Sequence, residues 1–230
     1  MVAREISDGT ILNTIKKFLQ AGVMEEGRVK PTRKGAPQGS PISPLFANIV
    51  LDHLDWTLDA HGNKFVRYAD DIVVVCKSRL EAEKALTVVT HCVEEDLGLE
   101  LNSQKTESTD FKCGFEFLGF FISSRTVKMR PKAEDNFKNK VRRITHRSYN
   151  LDRKVIDDLN PVIRGTVNYF YESFTTNLTQ LTALDSWIRK RIRCMKYKRK
   201  WQTDNRRLKN THIERMGLLS CRTLCLAREG

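Results

Sequence analysis

The apolar positions of the chain follow two different periods. From Phe65 to Val75, β-branched and aromatic residues flank Asp70-Asp71 with no helical spacing. This predicts two short buried strands joined by a turn that carries acid at its tip. Phe115-Glu116-Phe117-Leu118-Gly119-Phe120-Phe121-Ile122 predicts a second, aromatic strand pair, most of whose Phe serve a core. Residues 23–34 alternate weakly around Gly27, as a small hairpin would. Helical spacing takes over elsewhere. Behind Ser7 and Asp8 as N-cap, Ile11, Leu12, Ile15, Phe18 and Leu19 share one face, which predicts a short helix packed on a core. Ser43 as N-cap, with Pro44 at the first helical position, opens a helix carrying Leu45, Phe46, Ile49, Val50, Leu54 and Leu58 inward. Asp52, Asp55 and Asp59 read as its surface. A helix over 80–97 turns Ala82, Ala85, Leu86, Val89, Val93 and Leu97 inward and closes at Gly98.

Past Pro131, three amphipathic helices are predicted, enough for a small bundle. They are a basic helix over 133–148, one over 151–173 with a kink or break at Asn160-Pro161, and one from Leu178 with Leu181, Leu184, Ile188, Ile192 and Met195 inward. Strands early and helices late make the fold class α+β.

Charge changes the picture. Residues 1–130 hold 17 Lys and Arg against 18 Asp and Glu, whereas 131–230 hold 23 against 10, so the second part carries the whole excess of the net +12. A near-neutral part joined to a cationic one suggests a polyanion partner, and nucleic acid is the natural one. From Arg189 to Lys200 the basic residues Arg189, Lys190, Arg191, Arg193, Lys196, Lys198, Arg199 and Lys200 surround Tyr197 and lead to Trp201. Their density and single sign favour phosphate contact, with the two aromatics as stacking groups. No run of eighteen apolar residues and no apolar signal core occur, so no membrane is expected and cytoplasm is the default. The six Cys (76, 92, 113, 194, 221, 225) lack zinc spacing, and the five His do not cluster near them. Free thiols are the expectation; Cys221 and Cys225 could share a helix face but make a weak metal pair.

The Asp70-Asp71 dipeptide alone fits a solvated turn as well as a metal perch. The same is true of the Gly35–Pro44 loop, whose three Pro and two Gly need no function to explain them, and of Lys105 as a surface lysine. Their order along the chain adds a resemblance. Tyr68-Ala69-Asp70-Asp71, the loop Ala36-Pro37-Gln38-Gly39-Ser40-Pro41, the Lys105 segment, and the thumb-like stretches around Arg164-Gly165-Thr166 and Leu184-Asp185-Ser186-Trp187 resemble the reverse transcriptases and maturases of group II introns.

That resemblance implies a partial palm over 1–130, an antiparallel sheet with helices, and a basic helical thumb or maturase bundle over 131–230. It implies that Asp70 and Asp71 are the catalytic metal ligands for Mg2+ or Mn2+ and that Lys105 assists the leaving pyrophosphate. Ala36, Pro37, Gln38, Gly39 and Tyr68 would line the nucleotide and template pocket. Phe117, Leu118 and Gly119 would grip the primer, and Arg164 would join the basic run on nucleic acid. Implied partners are intron or template RNA, a DNA primer and dNTP. The family also uses an aspartate on a strand upstream of Met1, so the expectation is a chain truncated at its N-terminus with a partly present two-metal site, an N-terminal half being supplied in trans if at all. The competing expectation is a non-catalytic maturase-like fragment that assists intron RNA folding.

Overall fold

The computed structural model describes residues 2–20, 23–25, 28–30, 42–199 and 204–228. They combine helices with small antiparallel sheets in two compact units, Met1–Ser108 and Thr109–Gly230.

The first unit begins with α1 (Val2–Glu5) and α2 (Gly9–Gln20), followed by an antiparallel pair β1 (Val23–Glu25) and β2 (Arg28–Lys30). Asp8 caps α2 as its type predicts, one carboxylate oxygen accepting from the backbone N–H of Thr10 and of Ile11 at 2.7 and 3.2 Å. The expected core packing of α2 is not found: Ile11, Phe18 and Leu19 lie exposed and no described residue of the helix is buried. α3 (Ser43–Ala60) has Pro in its first turn, but Ser43 lies inside the helix and Ile42 occupies the cap position, so the expected Ser43 cap is corrected by one residue. Leu54 and Leu58 are buried; Leu45, expected inward, is exposed.

The predicted acidic hairpin is β3 (Lys64–Tyr68) with β4 (Asp71–Val75). The strands are not buried on both faces as expected. Phe65, Ile72 and Val74 pack on α3 and α4 (Arg79–Thr90), while Val66 and Tyr68 on the other face are open. α4 starts at a reciprocal cap in which Ser78 Oγ accepts from Glu81 N–H and Glu81 Oε2 accepts from Lys77 N–H. The predicted helix continues to the expected end, but its last stretch, His91–Asp96, widens to a π-helix before Gly98 at φ 62°. Leu86, expected inward, is exposed.

In the second unit, β5 (Phe115–Phe117), β6 (Phe120–Ile122) and β7 (Val127–Met129) form one antiparallel sheet. Then come α5 (Pro131–Ile144), α6 (Arg153–Phe170) and α7 (Leu178–Lys196), as the periodicity predicts. Short helices α8 (Asp204–Arg207), α9 (Asn210–Arg215) and α10 (Cys221–Leu226) complete it. Phe137 and Val141, Ile156, Leu159, Ile163 and Val167, and Leu181, Leu184, Ile188 and Ile192 meet in one core. Each such fully buried aliphatic side chain contributes about 2 kcal/mol.

The expected break at Asn160-Pro161 is absent, because α6 runs unbroken through Pro161. Leu159 and Ile163 are both fully buried and tie the two halves to the same core. The Asn160 amide closes on the chain beyond α9, donating to Gly217 O and accepting from Leu219 N–H, both at 2.9 Å.

Candidate metal-binding hairpin and nucleic-acid interface

Five Cα pairs from Lys64↔Val75 to Tyr68↔Asp71 leave only Ala69 and Asp70 in the turn. Two-residue hairpin turns demand positive φ, and Ala69 accepts it at 55° although Gly would do so at less cost. Register puts Asp71 beside Tyr68, on the open face with Val66. Both carboxylates are exposed, and no described residue donates a hydrogen bond to either. They are thus hard oxygen donors without a partner among the described residues, displayed side by side at the end of a paired strand, which is the donor chemistry a Mg2+ or Mn2+ ion takes.

The opposite face of the hairpin is fixed by Arg67. Its guanidinium forms a fork on Asp55, Nε to Oδ1 at 2.8 Å and Nη2 to Oδ2 at 2.5 Å, with both side chains largely covered. Nη1 donates to Asn48 Oδ1 and to Ala69 O, each at 2.9 Å. The hydrogen bond it donates to Asp55 holds the Arg67 pKa above its ordinary value, against burial and with help from the charges of Asp55 and Asp52. Asp55 is therefore not plain helix surface, which corrects the sequence reading. No local signal marked it, because its partner Arg67 lies on β3 rather than on its own helix.

Lys105 sits in an exposed turn whose backbone N–H donates to Asn102 O at 2.9 Å. Ala36, Pro37, Gln38 and Gly39 lie outside the described residues, as do Lys200 and Trp201.

In the second unit, Phe117, Leu118 and Gly119 form the β5–β6 turn, with Leu118 at φ 48° and Gly119 at 84°. The turn rests on α6: Tyr169 Oη donates to Leu118 O at 2.9 Å, and Phe120 packs on Tyr169, Phe170 and Phe174. Tyr169 and Phe174 keep more than half their surface open. None of these roles was legible from a strand pattern alone.

The basic run is divided by its packing. Arg193 is buried and donates to Leu208 O at 2.9 Å and to Asn210 Oδ1 at 2.6 Å, which corrects its expected place on phosphate. Arg191 is half-buried, donating to Thr145 Oγ1 and Thr145 O at 3.1 and 2.8 Å. Burial lowers the pKa of both guanidinium groups, with neighbouring arginines adding to it. Arg199 pairs with Asp204 at 2.9 Å, Lys198 donates to Tyr149 O, and Tyr197 packs partly against the core. These corrections share one cause: α7 buries Leu181, Leu184, Ile188, Ile192 and Met195 in the bundle core, so a stretch of uniform charge still turns one side inward. Lys190 and Lys196 remain exposed, Arg189 is half-buried, and Arg164 is exposed on α6.

All six Cys are free thiols, as expected. One His does approach a Cys, against expectation: donor atoms of His53, Cys92 and Asp96 lie within 4.8 Å of one another. The Cys92 thiol donates to Thr57 Oγ1, outside the trio, at 3.7 Å, and the His53 Nε2 lies 3.6 Å from an Asp96 carboxylate oxygen. Cys221 and Cys225 are buried on α10 beside Asp185, and burial first, then Asp185, pushes the Cys221 thiol far above its ordinary range.

Residues 3–122 match the family described as reverse transcriptase (RNA-dependent DNA polymerase). The chain belongs to the reverse transcriptase family. Residues 135–215 match the maturase-specific domain of group II introns. The reverse-transcriptase span thus includes β5 and β6, which pack within the second unit. Among curated relatives, protein YkfC of Escherichia coli (strain K12) is 28% identical over 152 residues, covering 51% of this chain and 40% of that protein. The retron Ec86 reverse transcriptase of Escherichia coli is 30% identical over 95 residues, 40% of this chain and 29% of that one. The group II intron-encoded protein LtrA of Lactococcus lactis subsp. cremoris is 42% identical over 55 residues, 24% of this chain and 9% of that one. The chain spans two-fifths or less of the length of these relatives. No helix among the described residues is long and apolar enough to cross a membrane.

Proposed function

We propose that this reverse transcriptase is of the group II intron type, with an RNA-directed DNA polymerase site in its first unit and an intron-RNA surface in its second. The observation that carries the reading is the pair of exposed carboxylates, Asp70 and Asp71, without a hydrogen-bond partner among the described residues, at the end of a pinned hairpin within the reverse-transcriptase match. A divalent ion, Mg2+ or Mn2+, bound there would stabilise the attacking and leaving oxygens of an in-line nucleotidyl transfer. The chain's own contribution is geometric. Asp70 and Asp71 offer oxygens from a tight turn and strand end rather than a long loop, and Tyr68 shares the face of Asp71 beside the nucleotide.

In this reading Ala36, Pro37, Gln38 and Gly39 line the pocket for dNTP and template, and Lys105 places a mobile cation near the leaving pyrophosphate. The Phe117–Gly119 turn holds a primer backbone. Arg164, Arg189, Lys190 and Lys196 meet RNA phosphates, supported by the maturase match over 135–215 and by the positive excess beyond residue 130.

The test is primer extension on an RNA template with Mg2+, run beside intron-RNA binding, for the wild type and an Asp70→Ala/Asp71→Ala variant. Loss of extension with RNA binding retained supports the polymerase reading. Equal performance of both proteins in both assays supports instead a maturase that acts by binding alone, the reading favoured by the separate maturase-domain match.

A further inference from the structure

We propose that Arg67 is a positioning residue for the Asp70–Asp71 pair, acting through the carbonyl of Ala69; the inference rests on the metal-binding reading above. Ala69 is the strained member of the turn, a non-glycine residue at φ 55°. Its C=O belongs to the same rigid peptide plane as the N–H of Asp70. Whatever fixes that oxygen fixes the direction in which Asp70 leaves the turn. Arg67 Nη1 holds it at 2.9 Å.

Arg67 is itself immobilised. Asp55 takes Nε and Nη2 in a two-point fork, and Asn48 takes Nη1 together with Ala69 O. Asp55 and Asn48 stand on α3, whose Leu54 and Leu58 are core residues, so the turn is referenced to a helix anchored in the core of its unit. The chain of contact runs α3, Asp55, Arg67, Ala69 O, Asp70. A strained turn persists where its surroundings over-determine it, and strain held this way accompanies functional sites.

Register separates this role from direct contact. Arg67 pairs with Ile72 on the core-facing side, while Tyr68 pairs with Asp71 on the open side. The guanidinium therefore shapes the acid pair from behind. It is also a positive charge close to a site for a dication, so through-space repulsion and positioning make opposite forecasts when it is removed. Lysine keeps the charge but cannot make the fork.

The test measures Mn2+ binding by electron paramagnetic resonance, with thermal melting and backbone amide exchange at Asp70 and Asp71, in the wild type, Arg67→Gln, Arg67→Lys and Asp55→Asn. Positioning predicts that all three variants lose Mn2+ affinity about tenfold and that Arg67→Lys loses as much as Arg67→Gln. Arg67→Gln binding more tightly, with Arg67→Lys unchanged, would overturn the proposal in favour of plain repulsion. A fall in melting temperature with Mn2+ affinity unchanged would overturn it in favour of a purely structural ion pair. An Asp70→Asn/Asp71→Asn control that binds Mn2+ like the wild type would sink the metal reading by itself. In that event amide exchange decides: faster exchange at Asp70 and Asp71 in Arg67→Lys, with Val89 and Val93 unchanged, supports positioning, and equal exchange refutes it.

Discussion

Tyr169 donates from its hydroxyl to the carbonyl of Leu118 at 2.9 Å, tying α6 to a turn in which Leu118 and Gly119 both have positive φ. The ring stays half-exposed beside Phe120, so the bond fixes the turn without hiding the surface around it. Replacing Tyr169 by Phe removes one hydrogen bond and little packing. The expected loss is about 0.5–1.5 kcal/mol in denaturant unfolding. Gly119→Ala meets Phe170 only at ordinary distance, 3.5 Å, so its cost arises from the φ of 84° and is expected at about 1–2 kcal/mol.

The two strands of the acidic hairpin invite a simpler measurement of strain. Ala69→Gly removes the Cβ at φ 55° and keeps the carbonyl that Arg67 holds. Because the native backbone there suits glycine, the variant should match or exceed wild-type stability by up to about 1 kcal/mol, read as a shift in the unfolding midpoint. A large destabilisation would show that the turn is not strained.

Glu134 links three parts of the second unit. It accepts from Lys138 and, at 2.7 Å, from Gln180 Nε2, while Gln180 also exchanges bonds of 3.1 Å with Met129 N–H and O. Burial pushes the Glu134 carboxyl up, but the hydrogen bonds from Lys138 and Gln180 outweigh it and the pKa lies below its ordinary value. A depressed carboxyl stabilises the fold fully above its unfolded value, about 4.3, and loses that contribution as pH falls through the lowered one. Glu134→Gln should therefore lower the melting temperature near neutral pH and flatten its decline on the acid side. Parallel curves would contradict this.

The corrected basic run separates two kinds of cation. Lys190→Ala and Lys196→Ala should weaken RNA binding a few-fold and lower the salt slope, each by about 0.7 if it meets a single-strand phosphate, with melting unchanged. Arg193→Ala should instead destabilise the bundle by about 2–4 kcal/mol, since Leu208 O and Asn210 lose a buried partner. Filter binding across a salt series, beside melting curves, tells the two apart.

Much of this was legible in the sequence because the signals are local. Runs of β-branched and aromatic residues without helical spacing around Asp70-Asp71 and Phe117–Phe120 gave the hairpins, and period-3.6 spacing gave α3, α5, α6 and α7. What escaped was set by distant partners. Nothing in residues 189–200 states that Arg193 would reach Leu208, and the pairing of Asp55 with Arg67 spans a helix and a strand. The exposure of α2 escaped for the reverse reason: amphipathic spacing marks a face that can be buried without naming what buries it. Pro161 looked like a break because propensity is local, whereas Leu159 and Ile163 hold the helix through the core.

A divalent-ion site at Asp70 and Asp71 is measured by titrating Mn2+ into the wild-type chain and an Asp70→Asn/Asp71→Asn variant while following the free-ion signal by electron paramagnetic resonance. A saturable site present in the wild type and lost in the variant, with equal melting temperatures, is the predicted result. Identical titrations of the two proteins would contradict it.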